Sequence, residues 1–389
     1  MNKKWDIIDI TILCFTFYEP PLFPHGIFLA FKYCTIFFLL AKYRIEINNI
    51  WNVILPAMLY SLVTLTSTMA NKMAINTVVA SFMYGIQIVT VFLVTYKMIK
   101  RNGVYVFVNW LARIFGCFAV LSDLLMLFVR YDFSNPSEEY LIGNKFVIAY
   151  IHCLWTALVF YKYKMLDVPL LRNGKANCKK LKYAIRSIMT AALSFFICMR
   201  VTTSTGMIAI VVLTVLMIMP IRIQKILSSN YALIATAGIM NILNFGTAQL
   251  MMNAHVQYFI QNVLGKSSTL SGRSQIWAII FRFISKKALI GYGYYNGMIE
   301  RHLGYGNPQN GVLKILLDTG IIGLLLYGIL VFIALRPLNG KNFVNNFPMI
   351  AFLYAMLVAS LVEINLTHMI VFMALAIIAF GCERKEINL

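Results

Sequence analysis

The chain has 389 residues, 60% of them hydrophobic and 12% charged, and a formal net charge of +20. Soluble domains carry roughly 25% charged residues, so an ordinary soluble protein is excluded. The basic excess does not indicate nucleic acid binding, because most of it lies in short loops between apolar runs, as in membrane proteins. We therefore predict an all-α, polytopic membrane protein with a single integral membrane domain over 1–389.

Apolar runs of about 17–25 residues are long enough to cross a bilayer as helices. The runs that approach this length lie at 7–23, 27–42, 50–68, 74–96, 104–129, 146–161, 183–199, 206–221, 230–249, 311–335, 346–362 and 364–381. The first run is kept as a span, because Glu-Pro-Pro and Pro-His-Gly stand beside it instead of a small-residue cleavage site. We predict about 12 transmembrane helices.

The positions of lysine and arginine set the orientation of such a protein. With a cytoplasmic N-terminus, most of the 34 basic residues fall on the inner side, and the loop 162–182 contributes more of them than any other inner segment. Both termini are then expected to be cytoplasmic.

A large loop over 250–310 falls on the outer side and is polar, glycine-rich and basic. The loop contains six basic residues and a single acidic one, Glu300. The basic residues are Lys266, Arg273, Arg282, Lys286, Lys287 and Arg301. A long loop can cross the membrane regardless of its charge. The alternative is that the outer face binds an anion, and in that case this loop is a substrate-binding loop.

The stretch 274–287 has helical periodicity, with Arg282 and Lys286 on one side and Trp277 and Ile280 on the other. About 14 residues are too few for a span. Two interpretations remain open: an amphipathic helix in the membrane interface with its cations facing outward, or a helix that simply closes the bundle.

The sequence GYGYYNG follows at 291–297. Its glycines allow a tight turn or a close approach to a ligand. Its tyrosines suit either sugar stacking or an interfacial aromatic belt. Without a strand–turn–helix context, the pattern does not predict a nucleotide-binding fold.

Polar residues stand at the head of the next apolar run. Asn310 is either an N-cap or a ligand-binding residue. Lys314 and Asp318 are spaced i, i+4 inside the run, so we expect the two charges to neutralise each other or to face a water-filled cavity.

The order of these motifs resembles the O-antigen polymerase/O-antigen ligase superfamily, which includes the Wzy-type bacterial polysaccharide polymerases. The resemblance rests on SGRSQIW at 271–277, LIGYGYYNG at 289–297 and NPQNGVLKILLDTGIIG at 307–323. It implies a metal-independent glycosyltransferase without a cofactor, in the bacterial cytoplasmic (inner) membrane, with its active site on the extracytoplasmic side. Such enzymes serve O-antigen, capsule or exopolysaccharide biosynthesis.

The resemblance also implies the partners. A polymerase transfers a growing glycan from a polyprenyl-pyrophosphate carrier onto another lipid-linked repeat unit, so donor and acceptor are both polyprenyl-pyrophosphate-linked oligosaccharides. Membrane lipids surround the enzyme, and a chain-length regulator is a possible protein partner.

Several site residues follow from the same resemblance. Arg273 matches the arginine of SGR and is expected to bind the donor pyrophosphate, which a guanidinium grips with two hydrogen bonds. The family often has a second arginine where this chain has Thr205. Arg200 is the candidate substitute, or else a span-end residue. The His-Asn pair of the family appears here as Gln309 and Asn310, which weakens a ligase function because glutamine cannot act as a general base.

The nearby candidates for a general base are His302 and Glu300, although a loop histidine is often only a surface residue. The substrate-binding candidates are Arg273, Arg200, Arg282, Lys286, Arg301, Gln309 and Asn310. Two other functions remain as alternatives: a ligase that moves the glycan to another lipid or protein acceptor, and a non-enzymatic flippase or transporter of the lipid-linked sugar.

Overall fold

The computed structural model describes residues 3–21, 23–129, 139–165, 174–251, 273–304, 307–339 and 343–381. Within these ranges the chain is almost entirely helical, as predicted. The α-helices are α1 (Lys3–Phe15), α2 (His25–Tyr43), α3 (Trp51–Ala70), α4 (Ile75–Asn102), α5 (Val104–Phe128), α6 (Lys145–Met165), α7 (Gly174–Arg200), α8 (Ser204–Ile218), α9 (Ile221–Leu227), α10 (Asn230–Met251), α11 (Arg273–Lys286), α12 (Met298–Leu303), α13 (Gly311–Leu335), α14 (Phe343–Ser360) and α15 (Met369–Phe380).

Little else in these ranges is regular. Three 3₁₀ turns occupy Arg44–Ile50, Arg336–Asn339 and Asn365–Thr367. Strand β1 (Glu139–Tyr140) pairs antiparallel with β2 (Gly143–Asn144) in front of α6.

The described helices include seven stretches long and apolar enough to cross a membrane, or eight if the bent pair α9–α10 forms one span. One of the seven, His25–Ala70, contains both α2 and α3. Helices α8 and α15 have only 15 and 12 residues, which is short of a full span. A helix overlaps each of the twelve predicted runs, but the predicted count of about twelve spans is not confirmed.

The bundle has two ends that lie on opposite sides of the long helices. At the upper end, the last turn of α3 meets the first half of α13, where the Ser67 hydroxyl donates to the Asp318 carbonyl over 2.8 Å. At the lower end, α1 meets the end of α4, where Arg101 pairs with Asp6 at 2.8 Å.

Ion pairs between neighbouring helices fix the lower end. Asp9 pairs with Lys42 at 2.5 Å and accepts from the Tyr43 hydroxyl. Glu46 pairs with Lys97 and lies 3.7 Å from Lys100. Asp6 and Asp9 are 1% and 2% exposed, and a buried carboxylate of this kind is tolerated only when it is paired.

Candidate functional site

Helix α13 is broken near its middle at Gly320, whose backbone has φ 65° and ψ −166°. The break leaves the carbonyls of Leu317 and Asp318 without helical partners. The backbone of the segment 287–297 supplies them, because Tyr292 N donates to Leu317 over 2.7 Å and Gly293 N donates to Asp318 over 2.9 Å. Buried backbone groups must be satisfied inside a membrane protein.

The same segment also satisfies the far side of the break. Ile321 N donates to the Ala288 carbonyl over 2.8 Å, and Ile322 N donates to the Leu289 carbonyl over 3.2 Å. The segment 287–297 is therefore fixed against α13 by four backbone hydrogen bonds.

The glycines of GYGYYNG allow this close approach. Gly291 and Gly293 both have positive φ. A Cβ at Gly291 would lie 2.6 Å from the Leu317 carbonyl oxygen, and one at Gly293 would lie 2.8 Å from the Thr68 Cα. These two glycines are therefore needed for packing against the protein's own backbone.

A charged cluster stands beside the break. Lys314 contacts both carboxylate oxygens of Asp318, at 2.9 and 2.7 Å, and the Asn296 amide donates to the same carboxylate over 2.9 Å. Asp318 is only 6% exposed. The predicted mutual neutralisation of Lys314 and Asp318 is confirmed.

The tyrosines of the segment differ in exposure: Tyr292 and Tyr294 are half-buried, and Tyr295 is exposed. Tyr294 stacks on Tyr84 with 5.0 Å between ring centroids, and burial raises the pKa of its hydroxyl well above the ordinary value. Tyr295 is 68% exposed, and the Lys314 ammonium lies 5.9 Å from its ring. Among the tyrosines of 291–297, Tyr295 offers the most exposed ring for a sugar or for the membrane interface.

Helix α11 covers the upper end with its apolar side. Ile276, Trp277 and Ile280 are at most 5% exposed and pack in one cluster with Ile299 and Leu313. The Trp277 indole donates to the Pro308 carbonyl over 3.1 Å. The predicted amphipathic helix is confirmed, and its apolar side closes the bundle.

Two cations in the second half of α11 lie outside this cluster. Arg282 and Lys286 are exposed, and among the described residues neither takes part in an ion pair. Lys287 bonds to the Asn71 amide oxygen and lies 5.0 Å from the Tyr292 ring. Arg282 and Lys286 are therefore available to an anion.

The other predicted cations differ from these two. Arg301 is partly occupied, because its guanidinium donates to the Asn296 carbonyl over 2.6 Å. Arg200 is exposed at the last residue of α7. Arg273 is the first residue of α11, and its side chain lies outside the described residues, as does the loop segment 252–272.

The two candidate bases lie on the short helix α12, and both are exposed. His302 Nδ1 lies 2.9 Å from the Met298 carbonyl, and its ring lies against Phe283 at 4.8 Å. Neither His302 nor Glu300 belongs to the buried cluster around Asp318, and their catalytic role stays a prediction.

Asn310 has 0% exposure and caps α13, since its side chain accepts from Leu313 N over 2.9 Å. Its amide nitrogen donates to the Asn241 side chain over 3.1 Å and to the Leu361 carbonyl over 3.2 Å. The predicted N-cap is confirmed. Gln309, one residue earlier, is half-buried with φ 49°.

The sequence analysis did not single out His368. Its ring lies between those of Tyr18 and Tyr150, 5.8 Å from each. Its Nδ1 is enclosed and has no hydrogen-bond partner among the described residues. Burial, together with the positive charge of Lys32, lowers the pKa of His368 to about 4. The sequence gives no signal for this, because long-range packing creates the enclosure.

An apolar cavity of about 510 Å³ lies between α10, α13, α14 and α15. Asn241 and Val312 line the part nearest the α13 N-terminus, and Leu325 and Ile329 on the rim are 61% and 46% exposed. The cavity is therefore a groove that opens toward the bilayer at one side and approaches the Asn310 network at the other.

No three His, Cys, Asp or Glu side chains come together as a metal site within the described ranges. A protein-family model described as O-antigen ligase, Wzy_C, matches residues 189–328. No curated protein and no solved structure matches the chain. The matched segment includes α11, α12 and the segment 287–297. The resemblance carried by the motifs is thereby confirmed: residues 189–328 carry an O-antigen ligase domain match, consistent with the O-antigen polymerase/ligase superfamily.

Proposed function

We propose that this protein is a polysaccharide polymerase that extends a glycan on a polyprenyl-pyrophosphate carrier at the outer face of the bacterial cytoplasmic membrane. The observation that carries the proposal is the cationic helix α11 inside the matched family segment. Helix α11 packs against α10 and α13, and these are two of the four helices that line the apolar groove. The groove suits part of a polyprenyl chain, and Arg282 and Lys286 suit a pyrophosphate.

The reaction requires little of the protein beyond positioning and charge stabilisation. A hydroxyl oxygen of the acceptor sugar attacks the anomeric carbon of the donor glycan. The bond from that carbon to the pyrophosphate oxygen breaks, and the leaving pyrophosphate keeps the electron pair. Cations that are already in place stabilise this developing charge at little reorganisation cost.

The hydroxyl proton must also be removed. His302 and Glu300 are our candidates for the base, since both are exposed and both follow the cationic helix α11 closely in the sequence. A single displacement of this kind inverts the configuration at the anomeric carbon.

Membranes that contain the protein should convert lipid-linked repeat units into a ladder of longer glycans without added nucleotide sugar. Arg273→Ala should abolish the ladder while protein expression is retained. Arg222→Ala is the matched control, because Arg222 is an exposed arginine on α9, outside the proposed site. An active Arg273→Ala protein would remove Arg273 from the mechanism.

A ligase is the second candidate, because the matching family model is described as O-antigen ligase. The products separate the two functions. A ligase makes one transfer to a different acceptor, whereas a polymerase makes a ladder on the original carrier. Movement of labelled lipid-linked sugar across liposomes, without extension or transfer, would instead identify a transporter.

A further inference from the structure

Three cations lie on neighbouring, packed helices at the lower end, away from the proposed active site. They are Arg113 on α5, Lys162 near the end of α6 and Arg186 on α7. Helix α6 packs against both α5 and α7, and the charges of Arg186 and Arg113 both act on Lys162. Like charges repel each other, so this arrangement is unfavourable without a compensating anion.

The uncompensated positive charge is most unfavourable at Lys162, because this residue is only 8% exposed. Its ammonium lies 6.0 Å from the Tyr183 ring. Among the described residues, none of the three cations takes part in an ion pair, whereas the lower-end acids are already used by Arg101, Lys42 and Lys97. A buried ammonium normally requires a paired anion.

The surface next to the cluster is apolar. Leu181, Ile185, Ile188 and Met189 on α7 lie within about a turn and a half of Arg186, and they are 62%, 48%, 61% and 66% exposed. An anion with acyl chains could therefore place its charge on the cations and its chains on α7. A small soluble anion would make no use of this apolar surface.

We propose that Arg113, Lys162 and Arg186 form a binding site for the phosphate of an anionic membrane phospholipid. Basic pockets between transmembrane helices on the cytoplasmic side are suited to such head groups, and the lower end is the side that the distribution of basic residues places in the cytoplasm. The proposal does not depend on the glycan reaction.

The test compares thermal unfolding of the full-length protein in neutral detergent with and without added lipid. We expect cardiolipin and phosphatidylglycerol to raise the midpoint of the wild type, and phosphatidylcholine or inorganic phosphate at equal concentration to leave it unchanged. An equal effect of inorganic phosphate would overturn the phospholipid assignment.

Lys162→Gln gives the more discriminating test. The order of thermal stability of the variant and the wild type should reverse between detergent alone and detergent with cardiolipin. Without lipid the variant should be at least as stable as the wild type, since it lacks a buried unpaired charge. With cardiolipin the wild type should be more stable. The same ranking in both media would disprove the site.

Arg186 is exposed, so Arg186→Gln tests the same site without the risk of a folding defect that a change at buried Lys162 carries. Native mass spectrometry should show the affinity for cardiolipin falling about fivefold for each charge removed. The double variant Arg222→Gln/Lys225→Gln removes exposed charges from α9 and serves as the control. If it loses as much affinity as the cluster variants, the attraction reflects net charge and the proposed site is refuted.

Discussion

The two ends of the bundle are held by different forces. At the lower end, carboxylates of α1 and of the turn after α2 pair with cations of α2 and α4, as Asp6 does with Arg101. At the upper end, the segment 287–297 is joined to α13 by backbone hydrogen bonds around Gly320. Ion pairs fix one end, and close backbone contact fixes the other.

This difference leaves charge free where a ligand is expected. At the lower end, Lys42, Lys97 and Arg101 are used for internal pairing, whereas the cluster around Lys162 forms no ion pair among the described residues. At the upper end, glycines allow the backbone of 287–297 to pack closely on α13, so Arg282 and Lys286 need not pair with the protein. We therefore expect substitutions in the ion pairs and at the glycines to lower stability, and substitutions of the α11 cations to affect binding.

The largest loss of stability should come from Gly320→Ala. Its φ/ψ values favour glycine strongly, and a Cβ would lie 2.2 Å from the Leu289 carbonyl oxygen. We expect the free energy of unfolding to fall by about 4 kcal/mol or more. Gly328→Ala in the same helix is the matched control, because a Cβ there meets no atom within 4 Å. Denaturant titration in detergent measures both, and equal stability of the two variants would contradict the proposed junction.

The next largest effect should come from Asp6→Ala at the lower end. The change removes the Asp6 carboxylate that pairs with Arg101, whose side chain is 24% exposed. Breaking a buried pair in this way should cost about 3 kcal/mol of unfolding free energy. The same titration should show part of the loss recovered in Asp6→Ala/Arg101→Ala, and Glu139→Ala at an exposed position should change little. A double variant with fully additive losses would show that the pair does not couple the helices.

Local patterns were enough to predict much of the upper end. The spacing of apolar residues gave the helix now seen as α11, and the position of Asn310 before an apolar run gave its capping role. The i, i+4 spacing of Lys314 and Asp318 gave their ion pair. Each of these features depends on residues close together in the sequence.

Contacts between distant parts of the chain could not be predicted in this way. Gly320 looked like part of an unbroken span, and its break is stabilised because residues 288–293 return to it and Ser67 donates to the Asp318 carbonyl. The enclosure of His368 likewise depends on Tyr18 and Tyr150, which come from other helices. The predicted count of about twelve spans is not confirmed, because apolar content does not reveal that α8 and α15 have only 15 and 12 residues.

His368 should give the upper end a pH-dependent stability. Burial lowers its pKa from 6.5 to about 4, so the unfolded chain binds a proton before the folded protein does. Stability is then fully present above about pH 6.5 and falls as the pH drops toward 4. Between pH 7 and pH 5 we expect a loss of about 1–2 kcal/mol. His368→Gln should remove this component of the pH dependence of stability, whereas His302→Gln on exposed α12 should retain it. Identical pH profiles for the two variants would show that His368 does not cause the dependence.

The smallest effect on stability should come from the exposed cations of α11. Arg282→Gln/Lys286→Gln removes no internal ion pair among the described residues, so the unfolding free energy should change by less than about 0.5 kcal/mol. Binding of a polyprenyl pyrophosphate should nevertheless weaken, and the salt dependence of binding should become shallower, because screening acts on the charges that were removed. Titration at two ionic strengths measures this. A double variant that loses stability but binds as the wild type does would reverse the assignment of structural and ligand-binding charges to the two ends.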